Sequence, residues 1–169
     1  MSDIYFSGRV NQENLNLLKD QILSENPQEE IKIYISSGGG SLTAAIAFYE
    51  WIRIKKIDIT TIAVGNVSSA AVILFLAGER RVATACSSFL IHPGGSYRYD
   101  LLCFLGKVIP LKRLKENESF DEYMNFVSIK IMKERTNISE DLARKSITKS
   151  FLFMDPIKAK ELGLIHEII

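Results

Sequence analysis

The stretch that most constrains the fold is Val64-Gly65-Asn66-Val67-Ser68-Ser69-Ala70-Ala71-Val72. Upstream of it, Ile57–Val64 is rich in β-branched residues and reads as a strand. Downstream, Ala70–Leu76 is apolar on every side, the pattern of a helix buried inside a core. A strand that passes through a glycine and a run of tiny residues into such a helix needs covering layers all round, which points to an α/β core. Ser69 then stands at a helix start, where unpaired backbone N–H groups and the helix dipole favour negative charge. That is the setting in which a serine alkoxide or a tetrahedral oxyanion is stabilised. The plainer alternative is that Ser68 or Ser69 only caps the helix.

The elements around this stretch repeat in β-α order. Ile4–Ser7 reads as a strand closed by Gly8, and Asn11 caps a helix with Leu15, Leu18 and Ile22 on one face. Ile31–Ile35 alternates at period two, then meets the turn Ser36-Ser37-Gly38-Gly39-Gly40. Ser41 caps a helix over Leu42–Ile54. Parallel strands with crossover helices follow from this order, and ligands in such sheets bind at the C-terminal strand ends, so Gly38–Gly40 and Gly65–Ser69 are expected to share a crevice. The glycine-rich turn lacks the Lys-Ser/Thr of a phosphate-binding loop and the G-x-G-x-x-G spacing of a dinucleotide site.

After short strands at Arg81–Thr84 and Phe89–Ile91 comes His92, at a strand end beside Pro93-Gly94-Gly95. The chain has two histidines, and the other, His166, reads as a strand-edge or surface residue. Tyr99–Val108 reads as an apolar helix stopped by Pro110, and Lys112–Glu118 as a solvated connection. Ser119 and Glu122 form a capping box for a helix over Phe120–Arg135. Ser139 caps another helix, a strand covers Phe151–Met154, and Asp155-Pro156 opens the last helix.

With 47% hydrophobic residues in 169, the chain is expected to form one domain over 1–169. Its 21 basic and 20 acidic side chains form no stripe, so nucleic acid is not expected as a partner. Cys86 and Cys103 have no metal-type spacing and suit a reducing cytoplasm. No metal or cofactor is expected. No signal peptide or membrane-spanning run is visible.

A glycine-rich turn, a serine at a helix start and a histidine at a later strand end are the parts of serine acyl transfer. On these motifs the chain resembles the proteolytic subunit of the Clp protease, within the Clp/crotonase superfamily. Tyr34-Ile35-Ser36-Ser37-Gly38-Gly39-Gly40-Ser41-Leu42-Thr43-Ala44 is similar to the family's Y-I-N-S-P-G-G-S-V-T-A, with Gly38 where the family has proline. Gly65–Ala71 is similar to G-Q-A-A-S-M-G, Leu90–Pro93 to M-I-H-Q-P, and Ala159–Ile165 to A-K-E-Y-G-L-I. The resemblance implies an α/β Clp/crotonase-type fold of repeated β-α units with a helical handle at about 96–136. It implies Ser69 as nucleophile, His92 as base, and the N–H groups of Gly40 and Ala70 as oxyanion donors. Peptides or unfolded proteins are the implied substrates, and a homo-oligomer, with a ring among the forms open to it, the implied assembly.

Three departures qualify that expectation. The family's third triad member is an acid, and its place falls here on Ser150 or Phe151. Asp155 is the nearest downstream carboxylate, but it has a capping duty; Asp141 reads as a first-turn helix residue. Pro110 interrupts the handle, and the chain starts almost at its first strand, which leaves cooperation with an AAA+ unfoldase undecided. Two other readings therefore stand beside the peptidase: a catalytically impaired subunit that assembles with or regulates an active partner, and, more remotely, a crotonase-like enzyme acting on acyl-CoA.

Overall fold

The computed structural model describes residues 2–26, 29–93 and 118–169. Its elements are β1 (Ser2–Val10), α1 (Gln12–Ser24), β2 (Ile31–Gly40), α2 (Leu42–Lys55), β3 (Ile59–Ser68), α3 (Ala70–Phe75), β4 (Arg80–Ala83) and β5 (Ser88–Ile91). They are followed by α4 (Glu118–Arg135), α5 (Glu140–Thr148), β6 (Leu152–Met154), α6 (Pro156–Glu161) and β7 (Glu167–Ile168). Of the handle expected at about 96–136, Tyr99–Val108 and Pro110 lie outside the described residues.

Among the described residues the strands form one sheet in the order β1-β2-β3-β4-β7, with β5 leaving this path to pair with β3 and β6. Every pairing is parallel except β5 with β6. β3 divides its partners. Thr60–Ala63 pair with β4, and Asn66–Ser68 pair with β5. All six residues of α3 are buried, as their uniformly apolar sequence requires. Phe48, Phe75 and Phe89 are the largest fully buried side chains around that helix and the sheet.

The strand ends differ from the sequence reading in one consistent way. β1 continues through Gly8 to Val10, β2 through its glycines to Gly40, and β3 starts later but runs on to Ser68. Glycine-rich runs after a strand read locally as turns, yet here the backbone stays paired across irregular register. The β1–β2 ladder slips between Ser7 and Arg9, and the β2–β3 ladder between Ile35 and Ser37. Gly8 and Gly65 sit at these bulges with φ of 100° and 87°, a backbone that other residues rarely adopt.

The caps at Asn11, Ser41, Ser139 and Asp155 each accept the backbone N–H three residues on. The capping box at Ser119 is not formed, because α4 already includes Glu118 and Ser119. A strong local motif here lies inside a longer helix. No described helix is long and apolar enough to cross a membrane.

The chain's end is fastened to β4 by a buried arginine. Arg81, 4% exposed, donates through Nε to Leu164 O and through its terminal nitrogens to Gly78 O, Arg135 O and Gly163 O. Burial, and then the nearby Arg135 charge, push its pKa down to about 10. Two residues beyond Leu164, His166 Nδ1 accepts the Arg81 backbone N–H at 3.1 Å, and Nε2 lies 2.9 Å from Arg81 Nη2. The Nδ1 bond requires a neutral ring with its proton on Nε2, so the Nε2–Nη2 approach sets two N–H groups side by side and is no hydrogen bond; desolvation followed by the Arg81 charge lowers the His166 pKa from 6.5. A depressed folded-state pKa means that the unfolded chain takes the proton first. Stability from this group is therefore complete above about 6.5 and is lost as pH falls below it. Thermal unfolding between about pH 8 and 5 should show a steeper acid loss for the natural protein than for His166→Gln; equal slopes refute the assignment.

Candidate active site

Ser69 occupies the turn between β3 and α3 with φ 57° and ψ −129°, a strained conformation for a residue with a side chain. The simple capping reading does not hold for either serine. Ser69 makes no side-chain cap bond, and Ser68 Oγ donates instead to Asn66 Oδ1 at 2.6 Å. A half-buried hydroxyl is thus held in a costly backbone position with no structural hydrogen bond among the described residues.

The strain is imposed from two sides. Gly39, with φ 95°, backs directly onto the turn: a Cβ added to it would lie 2.6 Å from Ser68 O, 2.7 Å from Ser69 Cβ and 3.0 Å from Ala70 N. Only hydrogen fits there. From the other side, Ser69 N donates to Leu90 O at 2.7 Å, extending the β3–β5 pairing by one bond. The glycine turn of β2 and the serine turn after β3 therefore meet in direct contact at one end of the sheet. Gly40 packs differently from Gly39, with its missing side chain directed at Val10 O. Ala70 is the first helical residue, so its N–H has no acceptor within the helix, and none is found among the other described residues.

His92 follows β5 directly, two residues past Leu90, and is partly buried. Its Nδ1 is 3.0 Å from Pro93 O. A carbonyl only accepts, so this contact assigns the neutral-ring proton to Nδ1 and leaves Nε2 with its lone pair. The imidazole also faces the ring of Phe151, centroids 6.2 Å apart and tilted by 36°. Phe151 is one of the two positions, with Ser150, on which the resemblance puts the family's acid, and neither carries one. The β5–β6 pairing, Ile91 with Leu152, brings Phe151 there.

The other candidates for a third member are engaged elsewhere. Asp155 Oδ1 accepts Lys158 N at 2.7 Å as the cap of α6. Ser150 N donates to Lys145 O in closing α5, and no contact joins the Ser150 side chain to His92 among the described residues. Asp141 lies in the first turn of α5, as read from the sequence. Among the described residues no group of His, Cys, Asp and Glu would hold a metal ion.

Sequence reasoning had no means of finding two of these features. The Gly39 approach to Ser69 depends on the bulges that align β2 with the end of β3. The Phe151 ring beside His92 depends on the antiparallel β5–β6 pair, which no local motif announces.

In solved structures the fold is similar to that of ClpP1 from Listeria monocytogenes, at 23% identity and a TM-score of 0.78, covering 99% of this chain and 90% of that one. A mutant of the same Listeria protein gives 22% identity, a TM-score of 0.78 and the same coverage, 99% and 90%. The ClpP protease catalytic domain from Plasmodium falciparum gives 24% identity and 0.78, covering 99% of this chain and 84% of that one. The sequence itself matches the Clp protease family over residues 1–169. Matched over its whole length by that family, and sharing the fold of those solved structures, the chain belongs to the Clp protease family.

Proposed function

We propose that this chain is a serine peptidase acting on peptides or unfolded protein chains, with Ser69 as nucleophile and His92 as base. The observation that carries the reading is Ser69 itself: strained, free of any capping bond, and tied through its own N–H to the strand that leads into His92. Ser69 Oγ attacks the scissile carbonyl carbon as its proton passes to His92 Nε2. The resulting oxyanion is received by the N–H groups of Gly40 and Ala70, helped by the start of α3. His92 then gives its proton to the leaving amine, and water enters by the same route to release the acyl group. A fluorophosphonate should form one adduct, located at Ser69 by peptide mass spectrometry. An adduct at Ser68, or none on a folded sample, defeats the proposal.

One observation favours the second reading, an impaired subunit working beside an active partner. His92 has a main-chain carbonyl on Nδ1 and an aromatic ring where the family's acid falls. Pro93 O sets the tautomer, but a neutral acceptor stabilises the imidazolium much less than a carboxylate does. Asp at 151 would supply that charge. Since the acid contributes about four orders of magnitude in a complete triad, Phe151→Asp is expected to raise peptide hydrolysis at least about tenfold. An unchanged or lower rate in the folded variant would exclude position 151 as the acid's place.

Assembly as a homo-oligomer is part of the proposal. Phe120, Tyr123 and Phe126 stand three residues apart on α4 and are 53%, 62% and 58% exposed, a stripe that a lone subunit leaves in water. Light scattering is expected to give a mass several times 19.1 kDa, falling when Tyr123 and Phe126 are both replaced by Glu. A monomeric natural protein refutes it.

A further inference from the structure

Beside the two register slips lies an open, solvent-facing cavity of about 370 Å³ at the C-terminal ends of β1, β2 and β3. Gly8, Arg9, Ser36, Ser37, Gly39 and Asn66 are among its walls. Hydrogen bonds hold part of the lining. Ser37, 3% exposed, donates through Oγ to Gly8 O at 2.5 Å and accepts Gly39 N at 3.1 Å. Asn66 spends Oδ1 on Ser68 Oγ, which leaves its amide hydrogens as donors.

The charge of the lining is one-sided. Arg9 is its one ionic side chain, and no carboxylate pairs with Arg9 among the described residues. The arginine stem lies over the glycine turn, since a Cβ added to Gly40 would come 3.0 Å from Arg9 Cγ. Gly39 lines the cavity and abuts Ser69, so the cavity begins one residue's thickness from the proposed nucleophile. An extended peptide repeats its side chains on one face every ~7 Å. A chain whose carbonyl sits at Ser69 would therefore carry a nearby side chain to this opening.

We infer that this cavity is a substrate subsite for an anionic group, a carboxylate close to the scissile bond, and that Arg9 is the residue that selects it. Guanidinium and amide donors with no competing acid match a carboxylate's acceptors and disfavour a lysine or arginine side chain. The location beside a scissile bond rests on the peptidase reading above; the preference for negative charge rests on the lining alone.

The test is binding to the full-length Ser69→Ala protein, measured by anisotropy with tetramethylrhodamine-labelled peptides that differ only in Glu or Gln at scanned positions. Amidated C-termini separate a side-chain carboxylate from a terminal one. At low salt the best Glu peptide is expected to bind about five- to tenfold more tightly than its Gln twin. Added salt should shrink that ratio, Arg9→Gln should bring it close to one, and Arg9→Lys should keep part of it. Equal affinities, a Glu preference that survives in Arg9→Gln, or no binding of either peptide overturns the inference. Hydrolysis and fluorophosphonate labelling of the natural protein test the other reading separately: labelling without Glu preference defeats the subsite only, and Glu preference without labelling defeats the peptidase only.

Discussion

Ser69→Ala is expected to abolish fluorophosphonate labelling and to lower peptide hydrolysis by about three orders of magnitude or more, while leaving the fold intact. The structural half of that expectation is as specific as the chemical half. Ser69 Oγ bonds nothing among the described residues, so its removal breaks no hydrogen bond. The bond that holds the turn uses Ser69 N, which alanine keeps. The Cβ that meets Gly39 is also retained, and the positive φ is as strained for alanine as for serine. A melting temperature within about 2 °C of the natural protein combined with loss of hydrolysis identifies a chemical role. Full activity in the variant ends the proposal. Ser68→Ala is the informative companion, because it removes the bond to Asn66 Oδ1 while leaving the Ser69 hydroxyl, and it should retain labelling at Ser69.

The largest stability effect is expected at Arg81. Its side chain satisfies carbonyls from Gly78, Arg135, Gly163 and Leu164, which belong to three separate parts of the chain. Truncation to alanine removes those donors and leaves a void too enclosed for every carbonyl to recover a partner. Gly78 O keeps Arg135 Nη2 at 2.8 Å, but Gly163 and Leu164 have no second side-chain donor among the described residues. A loss of about 3–5 kcal/mol is expected for breaking such a buried charged hub. That corresponds to a fall in melting temperature on the order of 10 °C. Arg81→Lys should recover little, since one ammonium cannot span the fork that reaches all four acceptors. A loss under about 1 kcal/mol by denaturant titration would show that the carbonyls find other partners.

The parts of this molecule that were legible in sequence are those governed by neighbours within four residues. Asn11, Ser41, Ser139 and Asp155 announced their helices because a cap acts on a backbone N–H only three positions away. The apolar run after Ser69 announced burial because no face of that helix could meet water. Local reasoning failed where pairing overrode composition. Ser36–Gly40 has turn chemistry but remains a strand, since β1 and β3 supply its hydrogen bonds on both sides. Ser119 has capping chemistry but is carried into α4. The site divides along the same line. Ser69 and His92 could be named from motifs, whereas the Gly39 contact, the Phe151 ring and the Arg9 cavity arise from register between distant strands.

The divided pairing of β3 gives the site a mechanical property. The last three residues of that strand hold β5 in register, and the next peptide adds the Ser69 N to Leu90 O bond. Serine and histidine are therefore mounted on one short brace, each within two residues of its final rung. A displacement of β5 is therefore shared by the backbones of both residues while that bond holds. The spacing between them behaves as a stiff coordinate, and the orientation of the imidazole about its own axis as the soft one.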